Sequence, residues 1–149
     1  MPISGGQIID ADTLNHLKPT TYLAEASATQ TGVIVDTDVT GATQTFTTET
    51  DNAVYTVVGT FDMDWQGAAI SGNVISGKLA VDGVIQAREA HGEQSVGAAG
   101  DRFTGAQVWR GTLATAGSHT IKLVVSIPSA NQRTTTPHTA LLIEIHEVV

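Results

Sequence analysis

With 149 residues, 15% of them charged, the chain has the length of one domain and too few charges for a disordered, charge-rich segment. A net charge of −8 argues against nucleic acid or an anionic membrane surface as the main partner, since both need clustered Lys and Arg. The absence of cysteine removes disulfides, Fe–S clusters, thiolate zinc sites and thiol nucleophiles. The rest of the composition leans to β-structure: Thr and Val suit strands, and the 15 glycines suit turns. No apolar run approaches the length of a membrane span, and the opening Met1-Pro2-Ile3-Ser4-Gly5-Gly6 lacks the features of a secretory leader.

In chain order, Asp10–Pro19 reads as a short helix. Asp10 or Asp12 can cap its free N–H groups, Lys18 suits its C-terminal end, and Pro19 stops it. Leu14 and Leu17 form one small apolar edge, and two turns are not stable alone in water. This helix must dock on something. Thr20–Gly32 then reads as an extended arm, so residues 1–32 form an N-terminal unit and residues 33–149 a β-sandwich.

Strands are expected at 33–38, 43–48, 53–64, 77–82, 84–90, 103–115, 119–127 and 139–148, a spacing that suggests a sandwich or barrel. Alternation with period 2 sets Tyr55, Val57, Phe61 and Met63 on one face, opposite Thr56, Thr60, Asp62 and Asp64. Ile121, Leu123, Val125 and Ile127 form a second inward set, and Leu141, Ile143 and Ile145 a third. Asp82-Gly83 supplies the positive φ angles of a tight type I′ hairpin turn. Ala116-Gly117-Ser118 is expected to close a second hairpin. Ala90–Asp101 and Ser129–Pro137 read as loops.

Sites for chemistry are scarce. No phosphate loop, nucleophile elbow or zinc-protease motif is present, and no second His follows any of the five at i+2 or i+4. The pairs Asp36/Asp38 and Asp62/Asp64 could reach a Ca²⁺ ion, but the Gly and Asn punctuation of a calcium loop is missing. Solvated acidic strand faces are the expectation there. Trp109 shares parity with Phe103 and Leu113 and is expected in the core. The last strand is different. Leu142 and Val148 lie opposite Ile143 and Ile145, on the face that carries Glu144 and His146. A strand apolar on both faces is covered on both sides, either by a loop of its own chain or by another copy.

The opening Ile8-Ile9-Asp10-Ala11-Asp12-Thr13-Leu14-Asn15-His16-Leu17 resembles the lead of many small structural proteins of tailed bacteriophages, particularly those of actinobacterial hosts. Tyr55–Asp62, Leu79–Gly83, Val108–Leu113, Gly117–Leu123 and Ile143–Val149 are similar to their sandwich strands. Members of that family serve as minor tail, head-fibre or capsid decoration proteins and resemble trimeric jelly rolls of the tumour-necrosis-factor type.

The resemblance implies an all-β, eight-stranded jelly-roll-like sandwich with an N-terminal arm and one short helix, forming a homotrimer in a virion. It implies no enzyme, no catalytic residue, no cofactor and no metal, and neither nucleic acid nor a membrane as partner. The leading expectation is a capsid decoration (cement) protein on the capsid surface, assembled in the host cytoplasm. Its arm residues Ile8, Ile9, Leu14 and Leu17 would bind the major capsid protein, or a tail component. Leu142, Glu144, His146 and Val148 would face sister copies. The alternative is a tail or head-fibre protein that reads host surface glycans through its loops.

Overall fold

The computed structural model describes residues 18–65, 74–93, 102–128, 132–134 and 138–147. Among these there is no helix and there are eleven strands: β1 (Thr20–Glu25), β2 (Gln30–Thr31), β3 (Ile34–Thr48), β4 (Ala53–Trp65), β5 (Val74–Val81), β6 (Val84–Ile85), β7 (Ala90–Glu93), β8 (Arg102–Leu113), β9 (Gly117–Ile127), β10 (Gln132–Thr134) and β11 (Ala140–His146). The helix expected before Pro19 lies outside the described residues.

The strands form two antiparallel sheets. In the first, β4 is central: β11 and β10 pair with one side of it, β8 with the other, and β1 and β2 lie outermost. In the second, β9 lies between β3 and β5, with β6 and β7 on the far side of β5. Successive long strands alternate between sheets: β3 in the second, β4 in the first, β5 in the second, β8 in the first, β9 in the second. This alternation is the jelly-roll pattern, and the expected all-β sandwich is what the chain forms.

The inward faces follow from the period-2 sequence pattern. Tyr55, Val57, Phe61 and Met63 of β4 are buried, as are Ile121, Leu123, Val125 and Ile127 of β9 and Leu141, Ile143 and Ile145 of β11. Trp109 is 3% exposed and packs in this core as its parity required. The close approach of the sheets is set partly by Gly77 of β5. A methyl carbon there would lie 2.5–2.6 Å from three ring carbons of Phe61, so only a glycine lets that ring lie flat on the strand.

Several local expectations change. Thr20–Glu25 is no free arm: it is β1, paired residue for residue with β11 from Thr20↔Ile145 to Glu25↔Ala140. The segments 33–38 and 43–48 are one strand, β3, whose register slips between Ile34 and Thr37 and between Asp38 and Thr43. The strand expected over 84–90 is the two-residue β6, and the loop segments supply β7 and β10. Asp82 and Gly83, at φ of 49° and 82°, do make the tight turn between β5 and β6. Ala116-Gly117-Ser118, by contrast, closes no hairpin. It joins β8 in the first sheet to β9 in the second. A glycine-containing turn signal marks a reversal of the chain but not whether the two strands then share a sheet.

The corners at one end of the sandwich are stitched by carboxylates. Oε2 of Glu147 accepts hydrogen bonds from the Glu49 and Thr50 amides at 2.9 and 3.0 Å, between β3 and β4. Oδ1 of Asp51 accepts from the Ala116 amide at 2.7 Å, between β8 and β9.

Candidate functional site

The outer face of the first sheet is the least ordinary surface. Four strands align one apolar residue each in a single cross-strand row: Leu23 opposite Leu142, Leu142 opposite Val58, and Val58 opposite Val108. Leu23 is 61% exposed, Val108 51% and Leu142 43%. Val58, in the middle, is half-buried. Single exposed apolar residues are normal, whereas this row is contiguous across four strands. Leu142 therefore lies outward as its parity required, and no described loop of its own chain covers it.

Glu144 and His146 share this face, and the His146 ring Nε2 donates to Glu144 Oε1 at 2.5 Å. Val148 and the arm residues Ile8, Ile9, Leu14 and Leu17 lie outside the described residues. Leu23, Val58 and Val108 escaped the sequence reading. Their own parity was legible, but their alignment with Leu142 is set by strand pairing between distant parts of the chain.

The next row along the strands reads Thr21, Glu144, Thr56, Arg110. The face is thus acidic at its β1–β11 edge, where Glu25 also stands, and basic at its β8 edge. Beside Arg110 is a cleft of about 390 Å³ lined by Tyr55, Gln86, Ala87, Arg88, Val108, Trp109 and Arg110. Trp109 Nε1 donates to the Arg88 carbonyl at 2.9 Å and fixes the 86–88 segment against β8. Burial raises the Tyr55 hydroxyl pKa above its ordinary value of 10.0. Gly111 leaves it room, since a methyl carbon there would sit 2.4 Å from the phenolic oxygen.

The other described cations inside the sandwich are matched with carboxylates. Lys78 meets Asp36 at 2.7 Å, Lys122 meets Asp38 at 2.6 Å, Arg133 meets Asp64 at 2.7 Å, and Arg102 Nε donates to Asp62 at 2.7 Å. The acidic strand face expected at Asp62 and Asp64 is therefore not solvated: the two residues are 1% and 6% exposed. Two carboxylates can be buried on an outer face only because arginines from β8 and β10 fold over them. Among the described residues no group of three or more His, Asp or Glu side chains is placed to hold a metal ion.

Among the described residues, His119 is the one histidine held inside the fold, at 7% exposure. Its Nδ1 lies 2.7 Å from Asp82 Oδ2 and its Nε2 lies 2.9 Å from the Thr115 carbonyl. Both partners only accept, so the protonated ring can donate to both at once. Burial lowers its pKa, but the bonds to Asp82 and Thr115 outweigh burial and raise it above 6.5. Burial likewise raises the Asp82 pKa, and the His119 and Thr120 hydrogen bonds outweigh it, leaving the carboxyl below 3.8. With both ring nitrogens spent on structure, this histidine locks the β5–β6 turn onto β9.

No family model matches the chain, and no curated protein matches it. Among solved structures it is similar to the tumour-necrosis-factor protein Eiger of S. frugiperda, with a TM-score of 0.54 and 8% identity over 88% of this chain and 94% of that one. It is also similar to the VP2 subviral particle protein of infectious bursal disease virus, with a TM-score of 0.53 and 12% identity over 86% of this chain and 33% of that one. A structure of the Gx strain of that virus gives 0.50 and 13%, over 87% and 33%. The chain therefore spans about a third of the viral chains it matches and nearly all of Eiger. Identities this low show a shared fold, the jelly roll, and nothing about activity.

Proposed function

We propose that this chain is a non-enzymatic structural protein of a virion, a trimeric decoration protein on a tailed-phage capsid. The observation that carries this reading is the apolar row Leu23–Leu142–Val58–Val108, exposed on a sheet face that its own described chain leaves open. The fold supports it, since about a third of the VP2 chain of a viral subviral particle shares this architecture. The sequence resemblance to small phage structural proteins supports the phage setting. The charge supports it as well: at −8, with four cations already paired internally, no basic stripe is left to hold nucleic acid.

The mechanism is adhesion. Sister copies close over the apolar row, and the leading segment of each copy binds capsid subunits through Ile8, Ile9, Leu14 and Leu17. Three weak attachments on one body bind far more tightly than one, because the second and third form at high effective concentration. Because β1 belongs to the sandwich, the binding segment ends before Thr20.

The test is a chain lacking residues 1–17, compared with the full chain by light scattering and by binding to particles that lack this protein. The truncated chain should remain a trimer and fail to bind. Full occupancy by the truncated chain, or a full-length chain that stays monomeric at high concentration, would overturn the proposal.

A further inference from the structure

The apolar face could close in several ways, and its charges select among them. Arg88 and Arg110 have no carboxylate partner among the described residues, and apart from Lys18 they are the only described cations in that state. Both line the cleft beside β8. Tyr55 lines it too. A chain of net charge −8 that leaves two arginines unmatched at one cleft lacks an acidic group there. The face itself carries such a group towards its opposite side, on β11 one strand in from β1, where Glu144 lies in the same cross-strand row as Arg110.

We propose that Glu144 of one copy docks on Arg110 at the β8 cleft of the next, with Arg88 beside it, so that the face closes head to tail into a ring. Rotation about an axis parallel to the strands keeps every residue at its height along them. The Leu23 end of the apolar row then meets the Val108 end of the neighbour's row, while Glu144 comes level with the neighbour's Arg110. Acid meets base and leucine meets valine in one movement. A two-fold axis along the rows would instead bring like ends together, Glu144 near Glu144. His146 prepares the acid: its bond to Oε1 orients the carboxylate and leaves Oε2 to accept from a guanidinium. With the third of a turn that the proposed trimer requires, the contact is heterologous, with different patches meeting, and it closes into a ring; a half-turn about the same axis would instead make the pairing twice in a dimer. This inference rests on the self-association proposed above and adds its partner surfaces and register.

The experiment is a charge swap on the full chain. Wild type, Arg110→Glu, Glu144→Arg and the double variant are compared by mass photometry and sedimentation, with far-UV circular dichroism confirming that each is folded. Arg110 is exposed and Glu144 only partly buried on the outer face, so the fold should tolerate both changes. Each single variant should weaken assembly at least tenfold, and the double variant should recover most of that loss. Raising NaCl from 0.05 to 0.5 M, a shift from long to short screening lengths, should weaken wild type and the double variant alike. Wild-type assembly that survives both single swaps, or a double variant no better than either single, overturns the pairing while leaving self-association intact. A wild type that never assembles sinks both. If the arginine variants lose affinity for acetate or citrate while assembling normally, the cleft serves a small anion and the pairing is wrong.

Discussion

Replacing Gly77 with alanine tests how tightly the two sheets are matched. The added methyl carbon would stand 2.5–2.6 Å from Cδ2, Cε2 and Cγ of Phe61, whereas carbon atoms rest at about 3.5–4.0 Å. The ring must retreat by about 1 Å, and it is fully buried with nowhere open to go. Overpacking of this kind costs about 1–3 kcal/mol. Alanine recovers about 0.5–1 kcal/mol of that through lower backbone entropy in the unfolded chain. The expected net loss is up to about 2.5 kcal/mol, or at most roughly 10 °C in Tm for a chain this long. Urea denaturation at fixed protein concentration measures it, since association would otherwise shift the midpoint. The sharper readout is a double-mutant cycle with Phe61→Leu. The smaller side chain vacates the space that the methyl enters, so the two losses should fail to add by about 1 kcal/mol. Additivity within about 0.3 kcal/mol, or a stabilised Gly77→Ala, would refute the steric argument.

Because its pKa is raised on folding, His119 stabilises the fold fully below its unfolded pKa near 6.5, and that contribution disappears as pH rises through the folded value. Asp82 is depressed, so its share is present above about 3.8 and is lost as pH falls through its folded value. The Tm difference between wild type and His119→Gln should therefore be largest between these limits and shrink as pH rises through the folded pKa of His119; a difference that widens with pH would contradict the doubly donating ring. Leu142→Asp places a carboxylate in the centre of the apolar row and should yield a folded monomer, seen as a single slow species by sedimentation, and an unchanged assembly would remove the row from the interface.

The inward faces could be read from the chain because period 2 is a local property. Tyr55, Val57, Phe61 and Met63 alternate within one strand, and burial of that set needs no knowledge of partners. The turn at Asp82-Gly83 is local too. What could not be read was every feature created by pairing at a distance. Thr20–Glu25 looks like a tether until β11 supplies its hydrogen bonds. Asp62 and Asp64 look like a wet acidic face until Arg102 and Arg133 arrive from β8 and β10. The candidate surface divides the same way. Leu142 announces itself by breaking the polar pattern of its own strand, whereas the row it belongs to exists only after four strands are in register. The Arg88–Arg110 cleft has no local signature, since it lies between a strand of one sheet and a segment that follows a strand of the other.

The pairing of β1 with β11 has a mechanical consequence. Thr20 lies opposite Ile145, so the sandwich is entered and left at one corner. Tension applied between the two ends would open that ladder like a zipper, one hydrogen bond at a time, which is the weakest direction in which to load a sheet. Pull on the entry strand alone, against a body gripped by its broad face, instead loads the ladder lengthwise and strains many bonds together. A domain wired this way is suited to hang from one end.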